Sequence, residues 1–329
     1  MMMPIQTLLQ APRPRFAEQT PPVIFPPIFG LLGLGLAWRR AGPALGAPQA
    51  IADLISGAVT LLFLFAALAY ALKLSRRAGV VAEDLRVLPG RAGLASMVLS
   101  FYLLAAVVFP LMPGFARVIL FAGFGAHAVL VGLMLWLLAT GPAAQRRVTP
   151  VFHLHFVGFI VAPAAAIPMG FTAMSHLILI ASGVIAALIW LASLAQLLRE
   201  TPPAPLRPLL AIHLLPASLL GHTALMLGHV GAALAFAALS AAILAALVTG
   251  ARYLTAAGFS PLWGAFTFPL AAFAGLMLSL AEAGQGEAFR LPAALALVAA
   301  TLIIPVIDFR VMQAWAKGGL GPKTNAARA

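Results

Sequence analysis

The stretch Phe259-Ser-Pro-Leu-Trp-Gly-Ala-Phe-Thr-Phe-Pro-Leu-Ala-Ala-Phe-Ala274 places a proline inside a long apolar run. The run extends to residue 283, and a helix needs about 20 apolar residues to cross the hydrocarbon core of a membrane. An interior proline removes one backbone hydrogen bond and clashes with the carbonyl four residues earlier, so Pro269 should kink the helix and free the carbonyl of Ala265. A free carbonyl at membrane depth has to meet protein or water. The stretch therefore predicts a kinked transmembrane helix beside a path.

Apolar segments of similar length recur along the chain, and we count ten of them. By residue number they run over 21–38, 51–74, 92–112, 115–139, 151–169, 171–198, 208–227, 229–250, 259–283 and 291–316. Interior prolines fall mainly in the odd-numbered segments, where they are Pro26 and Pro27, Pro110, Pro163 and Pro168, Pro216, and Pro269. Segments two, four, six and eight contain none, and segment ten departs from the alternation with Pro305.

This alternation predicts five helical hairpins. Each hairpin would pair a proline-kinked inner helix with a straighter outer helix, and the inner helices would line a path. We therefore expect an all-α membrane protein with a single ten-helix transmembrane domain over residues 21–316. Transmembrane helices contain more proline than soluble ones in any case, so a packed bundle without a path remains an alternative.

The composition excludes a soluble globular protein. Hydrophobic residues make up 63% of the 329 residues and charged residues only 9%, which is typical of an integral membrane protein. Residues 1–20 lack the apolar core and cleavage site of a secretory signal, so we expect a short disordered cytoplasmic arm there. Residues 317–329 should form a cytoplasmic tail. The chain has no cysteine, which excludes disulfides and thiolate metal sites.

The basic residues predict the orientation in the membrane, because Lys and Arg accumulate in short cytoplasmic loops. All of them except Arg39, Arg40, Arg117 and Arg290 fall in segments on one side of the predicted topology. Both termini should therefore be cytoplasmic, in a bacterial-type inner (plasma) membrane. Topology and contact with anionic lipid account for the net charge of +12, since each basic residue near such a surface contributes about 1 kcal/mol. No nucleic-acid partner is needed.

Charged residues are missing from the predicted membrane interior. The eight acidic residues lie in loops or near predicted helix ends, and no Lys or Arg lies at a predicted midplane. Such a path offers a cation no carboxylate to replace its water, whereas a basic cytoplasmic mouth would concentrate anions. An uncharged conduit for small anions fits this pattern best.

The opening stretch resembles the ninth span of the tellurite-resistance and C4-dicarboxylate transporter family, which includes the plant guard-cell slow anion channels. The matching residues are Trp263, Phe266, Thr267, Phe268 and Pro269. Weaker similarities lie at residues 25–38 and 157–163. The resemblance implies a quasi-fivefold ring of five hairpins around a narrow pore, assembled as a homotrimer.

In that family a phenylalanine of the ninth span closes the pore, and Phe268 is the matching residue here. Phe266 is the second choice, but it lies two residues earlier and so roughly 200° around a helix. The resemblance and the alternation together assign Pro26, Pro110, Pro163, Pro216 and Pro269 to helix kinks that line the pore.

The family includes proteins linked to tellurite resistance, carriers of malate and other C4-dicarboxylates, sulfite exporters, and chloride or nitrate channels. A dicarboxylate carrier should need a fixed cation inside its path, because Arg grips carboxylate with two hydrogen bonds. Since the sequence predicts none, we expect a channel for chloride and nitrate, with a dicarboxylate or sulfite carrier as the alternative.

The histidines permit a different class of protein, because haem and metal sites use imidazole ligands. They are His127, His153, His155, His176, His213, His222 and His229. Only His127 and His213 fall at interior depth in the predicted spans, so we expect satisfied core or interfacial histidines and no metal or cofactor. No acid lies where it could complete a catalytic triad with either of them, so we expect no enzyme activity.

Overall fold

The computed structural model describes residues 17–329, and this part of the chain is helical without a β-strand. It contains nine helices that are long and apolar enough to cross a membrane, and one shorter apolar helix, which we number together as α1 to α10. In chain order they are Pro22–Leu45, Gln49–Arg76, Leu88–Val108, Pro113–Thr140, His153–Ala166, Thr172–Leu197, Ala204–Met226, Val230–Thr249, Pro261–Glu282 and Glu287–Ala316. Four short helices, Val80–Leu85, Ala143–Arg146, Ala251–Leu254 and Leu320–Lys323, connect or follow them. The prediction of an all-α membrane protein is confirmed.

Odd- and even-numbered helices differ in burial. In the most apolar windows of α1, α3, α7 and α9, 78% to 89% of the residues are buried, against 17% to 39% in the even-numbered helices. Each odd-numbered helix contacts the next one, and α9 closes on α1. The odd-numbered helices thus form an inner layer. The apolar surfaces of the even-numbered helices face outward, as lipid contact requires.

The prolines of the inner helices produce a change of helix type. Pro26, Pro163, Pro216 and Pro269 lie within the first three residues of an α-helical stretch that follows a 3-10 helix. A proline in the first helical turn lacks only an N–H that would have no partner inside the helix. The prediction of kinks in the interior of α-helices is therefore wrong for these four residues. The irregular part of each inner helix lies before the proline.

Pro110 is a further correction. It follows the end of α3 at Val108 and is exposed in the turn to α4, so it neither kinks an inner helix nor lines a path. The fifth predicted span also differs from a regular helix. Residues His153–Val157 form a π-helix, Gly158–Val161 a 3-10 helix and Pro163–Ala166 a single α-turn.

The two ends of the described chain lie on the same face of the protein, which we call the terminal face. The backbone N–H of Ala329 donates to the carbonyl of Glu18 at 3.1 Å, and the N–H of Ala327 donates to Asp84 Oδ1 at 2.8 Å. Thr20, within the predicted disordered arm, is buried and accepts a hydrogen bond from Lys73 through its carbonyl. Residues 17–20 are therefore packed, and the rest of that arm lies outside the described residues.

A buried ion pair lies beneath these ends. Lys73 Nζ is 2.8 Å from Asp84 Oδ2, and both side chains are fully buried. The hydroxyl of Tyr70 donates to the same carboxylate oxygen at 2.9 Å. The tail and the loop before α3 are thus attached to α2 by one carboxylate.

Helices α1 and α9 approach each other closely at Gly30. The hydroxyl of Thr267 donates to the carbonyls of Pro26 and Gly264, at 3.0 Å and 2.7 Å. A methyl group on Gly30 would collide with the Thr267 side chain and lie 3.0 Å from the backbone nitrogen of Phe268. Only glycine allows this contact without moving the backbone of α9.

We expect Gly30→Ala to lower stability by about 1–3 kcal/mol, the usual cost of overpacking. Gly57→Ala is the matched control, because a methyl group there meets open space on exposed α2 and should raise stability by up to about 1 kcal/mol. Thermal unfolding in detergent measures both. Equal midpoints for the two variants would contradict the close contact.

Candidate functional site

Two small cavities lie one behind the other between the inner helices. The terminal cavity, on the side of the terminal face, has a volume of about 20 Å³ and is lined among others by Pro26, Ser96 and Ile212. The distal cavity, on the opposite side, has a volume of about 30 Å³ and is lined among others by Leu103 and Leu219. Every residue that lines either cavity belongs to α1, α3, α5, α7 or α9. Both cavities therefore lie within the inner layer.

Phe268 separates the two cavities. Among the described residues it is the one side chain that lines both, and it is only 4% exposed. Its ring stacks on that of Phe29, with centroids 3.7 Å apart and planes at 26°. Gly33, one turn after Phe29 on α1, also contacts Phe268, since a methyl group there would come within 2.8 Å of the Phe268 ring. Phe268 is thus packed against a ring and a glycine of α1 and lies between the two cavities.

Phe266 points in another direction. Its ring meets that of Trp263 edge to face, with centroids 5.7 Å apart. It lines an apolar groove on the outside of the inner layer, together with Pro292 and Leu295 of α10. The two phenylalanines thus face opposite sides of α9, as their spacing predicts.

The other predicted pore residues divide into two groups. Pro26 and Pro269 line the terminal cavity. Pro163 and Pro216 line neither cavity, although their neighbours Ala164 and Leu215 do. Pro163 and Pro216 therefore lie beside the cavities without lining them.

The distal cavity contains a charge that we did not predict. Arg40 lines it, and its Nη2 donates to Nε2 of His222 at 2.7 Å. The expectation of an uncharged path is therefore wrong on the distal side of Phe268. The predicted first span ended at Trp38 because two arginines follow, but α1 continues to Leu45 and carries Arg40 into the protein. A hydropathy pattern ends a predicted span at the first charged residues, whereas the helix itself can continue past charged residues.

The terminal face has a basic entrance. A cavity of about 470 Å³ there is lined by Arg86, Arg91 and Arg147 and by one carboxylate, Glu200, which pairs with Arg147. Leu209 lines both this entrance and the terminal cavity. Anions that approach from this side thus meet excess positive charge, which raises their local concentration.

The predicted core histidines make hydrogen bonds inside the protein. His127 Nε2 donates to the carbonyl of His155 at 2.8 Å, and Tyr102 donates to its Nδ1 at 3.1 Å. His153 and His213 contact each other at 3.0 Å between ring nitrogens, so His213 pairs with His153 and not with His127. Residues 17–329 contain no group of three or more potential metal ligands.

The chain was compared with models of protein families. The family model SLAC1, described as voltage-dependent anion channel, matches residues 19–311. None of the curated proteins matches the chain. The matched region includes all ten helices except the last residues of α10, and so includes every residue that lines the two cavities.

Proposed function

Since the chain belongs to the voltage-dependent anion channel family, whose members are channels or transporters and not enzymes, we propose that it conducts chloride and nitrate between its inner helices. One observation carries the proposal. A single aromatic side chain, Phe268, divides a path whose one charged lining residue is a cation, Arg40. A closed hydrophobic constriction beside a fixed positive charge is the arrangement of a gated anion pore.

The charge of the path favours anions over cations. Neither cavity is lined by a carboxylate, so a metal cation would lose water without gaining an oxygen ligand of opposite charge. Arg40 offers an anion hydrogen bonds on one side of Phe268, and the basic entrance attracts anions on the other. The charges on both sides of Phe268 therefore favour anions.

The size of the path favours small anions. A cavity needs a volume of about 10–15 Å³ to hold one water molecule, so cavities of 20 Å³ and 30 Å³ each hold one or two small particles. Chloride and nitrate fit such spaces after a modest movement of Phe268. A four-carbon dicarboxylate would require the inner helices to move apart.

Arg40 also supports the alternative, a carrier for a C4-dicarboxylate or sulfite. A fixed cation inside the path is what a bound carboxylate requires, and this residue supplies it. A carrier alternates between two closed states, so its flux should saturate and depend on exchange. Channel current should instead change in proportion to the driving force.

Flux from liposomes containing purified protein tests these proposals. Vesicles loaded with chloride, nitrate, malate or sulfite would be compared with and without the Phe268→Ala substitution. We expect chloride and nitrate release that rises linearly with the imposed potential, and little release of malate. Saturating exchange of malate or sulfite would favour the carrier, and release of none of the four would contradict transport.

The cellular setting follows from the same features. We infer a bacterial-type inner membrane with the terminal face in the cytoplasm, because this face carries the basic residues Arg86, Arg91 and Arg147. A homotrimer is the assembly that the family resemblance implies. A role in tellurite resistance would follow if the open pore passes tellurium oxyanions.

A further inference from the structure

Arg40 is paired with a neutral acceptor instead of an acid. No carboxylate in residues 17–329 lies within ion-pair distance of it, and its hydrogen bond goes to Nε2 of His222. Both side chains line the distal cavity, and His222 is only 7% exposed. A guanidinium at such a site has further N–H donors and no carboxylate in direct contact, which is the chemistry that binds an anion.

The hydrogen bond determines where the imidazole proton lies. Arg40 is always a donor, so Nε2 of His222 must present its lone pair and the ring proton must be on Nδ1. Nδ1 has no hydrogen-bond partner in the described part of the chain. The ring is therefore neutral in this arrangement and holds one unused polar atom. A second proton on Nε2 would place two N–H donors against each other.

We propose that Arg40 and His222 form a proton-linked anion site on the distal side of Phe268. A monovalent anion such as chloride or nitrate binds between the guanidinium and the imidazolium, and its binding takes up one proton at His222. The anion replaces the Arg40–His222 hydrogen bond and accepts one from each side chain. This inference rests on the proposed function, since it names how the path holds the anion that it conducts.

The charges around the pair favour this coupling. Arg39 precedes Arg40 on α1, but its guanidinium points to Asp53 and to the carbonyl of Ala106, at 3.8 Å and 3.3 Å. Glu282, exposed at the end of α9, attracts Arg40 from a distance. Arg40 of α1 is therefore the charged group that faces His222 of α7. Two cations side by side are unstable without a counter-ion, so proton and anion stabilise each other's binding.

The coupling is reciprocal, as linkage requires. If the anion favours the protonated histidine, then acidification of the distal side must raise anion affinity. Because Arg40, His222 and Phe268 line the same small cavity, an anion bound to Arg40 and His222 lies next to the side chain that closes the path. A lower pH on the distal side should therefore raise the occupancy of the anion site beside Phe268.

Calorimetry on the purified full-length protein tests the proton uptake. Nitrate binding would be titrated in two buffers of different ionisation enthalpy at about pH 7, near the ordinary histidine pKa. We expect uptake of close to one proton per nitrate in the wild type. His222→Gln, which keeps an acceptor for Arg40 but cannot titrate, should bind nitrate with no proton uptake. Unchanged uptake in His222→Gln, or nitrate binding to the wild type without uptake, would overturn the proposal.

Conductance gives a second readout, in the Phe268→Ala background so that the constriction does not limit flux. Changing the distal solution from about pH 8 to about pH 5.5 should raise nitrate conductance about fivefold to tenfold, a typical coupling between sites. Adding His222→Gln should abolish this dependence, and adding Arg40→Gln should also lower the conductance itself about tenfold. Arg39→Gln is the matched control and should behave like the parent, because Arg39 lines neither cavity.

The outcomes separate this proposal from the proposed function. Selective anion conductance that does not change with the distal pH would contradict the proton-linked site but would support the channel. Absence of any anion conductance would sink the channel, and the calorimetric proton count would still decide whether the site exists. Conductance of the Arg40→Gln variant equal to that of the parent would overturn the role of Arg40.

Discussion

Replacing Phe268 by alanine should raise chloride and nitrate flux at least about tenfold over a nearly silent wild type, since a dry constriction prevents conduction until it is widened. The substitution removes the one ring that lies between the two cavities and joins them into a continuous path. Electrical recording in planar bilayers, with chloride or nitrate as the only permeant anion, measures the effect.

The matched control for this experiment is Phe266→Ala. It removes the same side chain from the same helix, but from the outer groove of α9, so flux should stay at the wild-type level. Truncating a buried phenylalanine costs about 3–5 kcal/mol, so thermal midpoints of both variants should accompany the recordings. A folded Phe268→Ala protein that conducts no better than wild type would contradict the gate.

Breaking the Lys73–Asp84 ion pair should produce the largest loss of stability. Asp84→Asn leaves the Lys73 ammonium fully buried without a counter-charge, and losing one partner of a buried pair costs about 3–5 kcal/mol. The carboxylate also accepts hydrogen bonds from Tyr70 on one oxygen and from the backbone of Ala327 on the other, and an amide keeps only one acceptor oxygen, so the attachment of the tail should also weaken. Thermal unfolding in detergent and protease cleavage of the tail would show the two effects together.

Glu83→Gln is the control for that experiment, since Glu83 is the adjacent acid and also has a basic partner. Its partner Arg77 is exposed, and hydrogen bonding to this residue lowers the pKa of Glu83 below its ordinary value. Exposed pairs contribute about 0–1 kcal/mol, so the midpoint should hardly move. The double variant Lys73→Met with Asp84→Asn should recover part of the stability, because it removes the uncompensated charge. No recovery would show that the loss comes from the hydrogen bonds to Tyr70 and Ala327 instead.

The two-layer helical architecture could be predicted from composition and from the alternation of prolines, because both follow from the physics of the membrane. The spacing of Phe266 and Phe268 also predicted that only one of them could face the centre. Arg40 could not be predicted in this way, since its position depends on how far α1 extends into the protein. No signal in the sequence predicted this continuation, because Gly42 and Pro43, which follow the two arginines closely, favour the end of a helix, whereas α1 continues past them.

The irregular backbone of α5 is a second feature that hydropathy does not reveal. Its shape depends on neighbours that are distant in sequence, since a methyl group on Gly158 would meet Leu99 of α3 and His127 of α4. For Pro110, the sequence predicted an irregularity within a helix that the structure does not contain. Its position in an apolar run predicted a kink, but the helix had already ended.

The contact between α1 and α9 has a consequence for how the protein is made. Thr267 bonds to the carbonyl of Pro26 across 241 residues of chain, so the first inner helix meets its last neighbour only when synthesis is nearly complete. Contacts of such long sequence separation form late, and exposed surfaces of unfinished chains favour misassembly. Until then the inner face of α1, with Gly30 and the partner ring of the constriction, has to be shielded by lipid or by the insertion machinery. In chains stalled on the ribosome before α9 is made, α1 should therefore still crosslink to lipid or to the insertion machinery. The pore should form only at the end of translation.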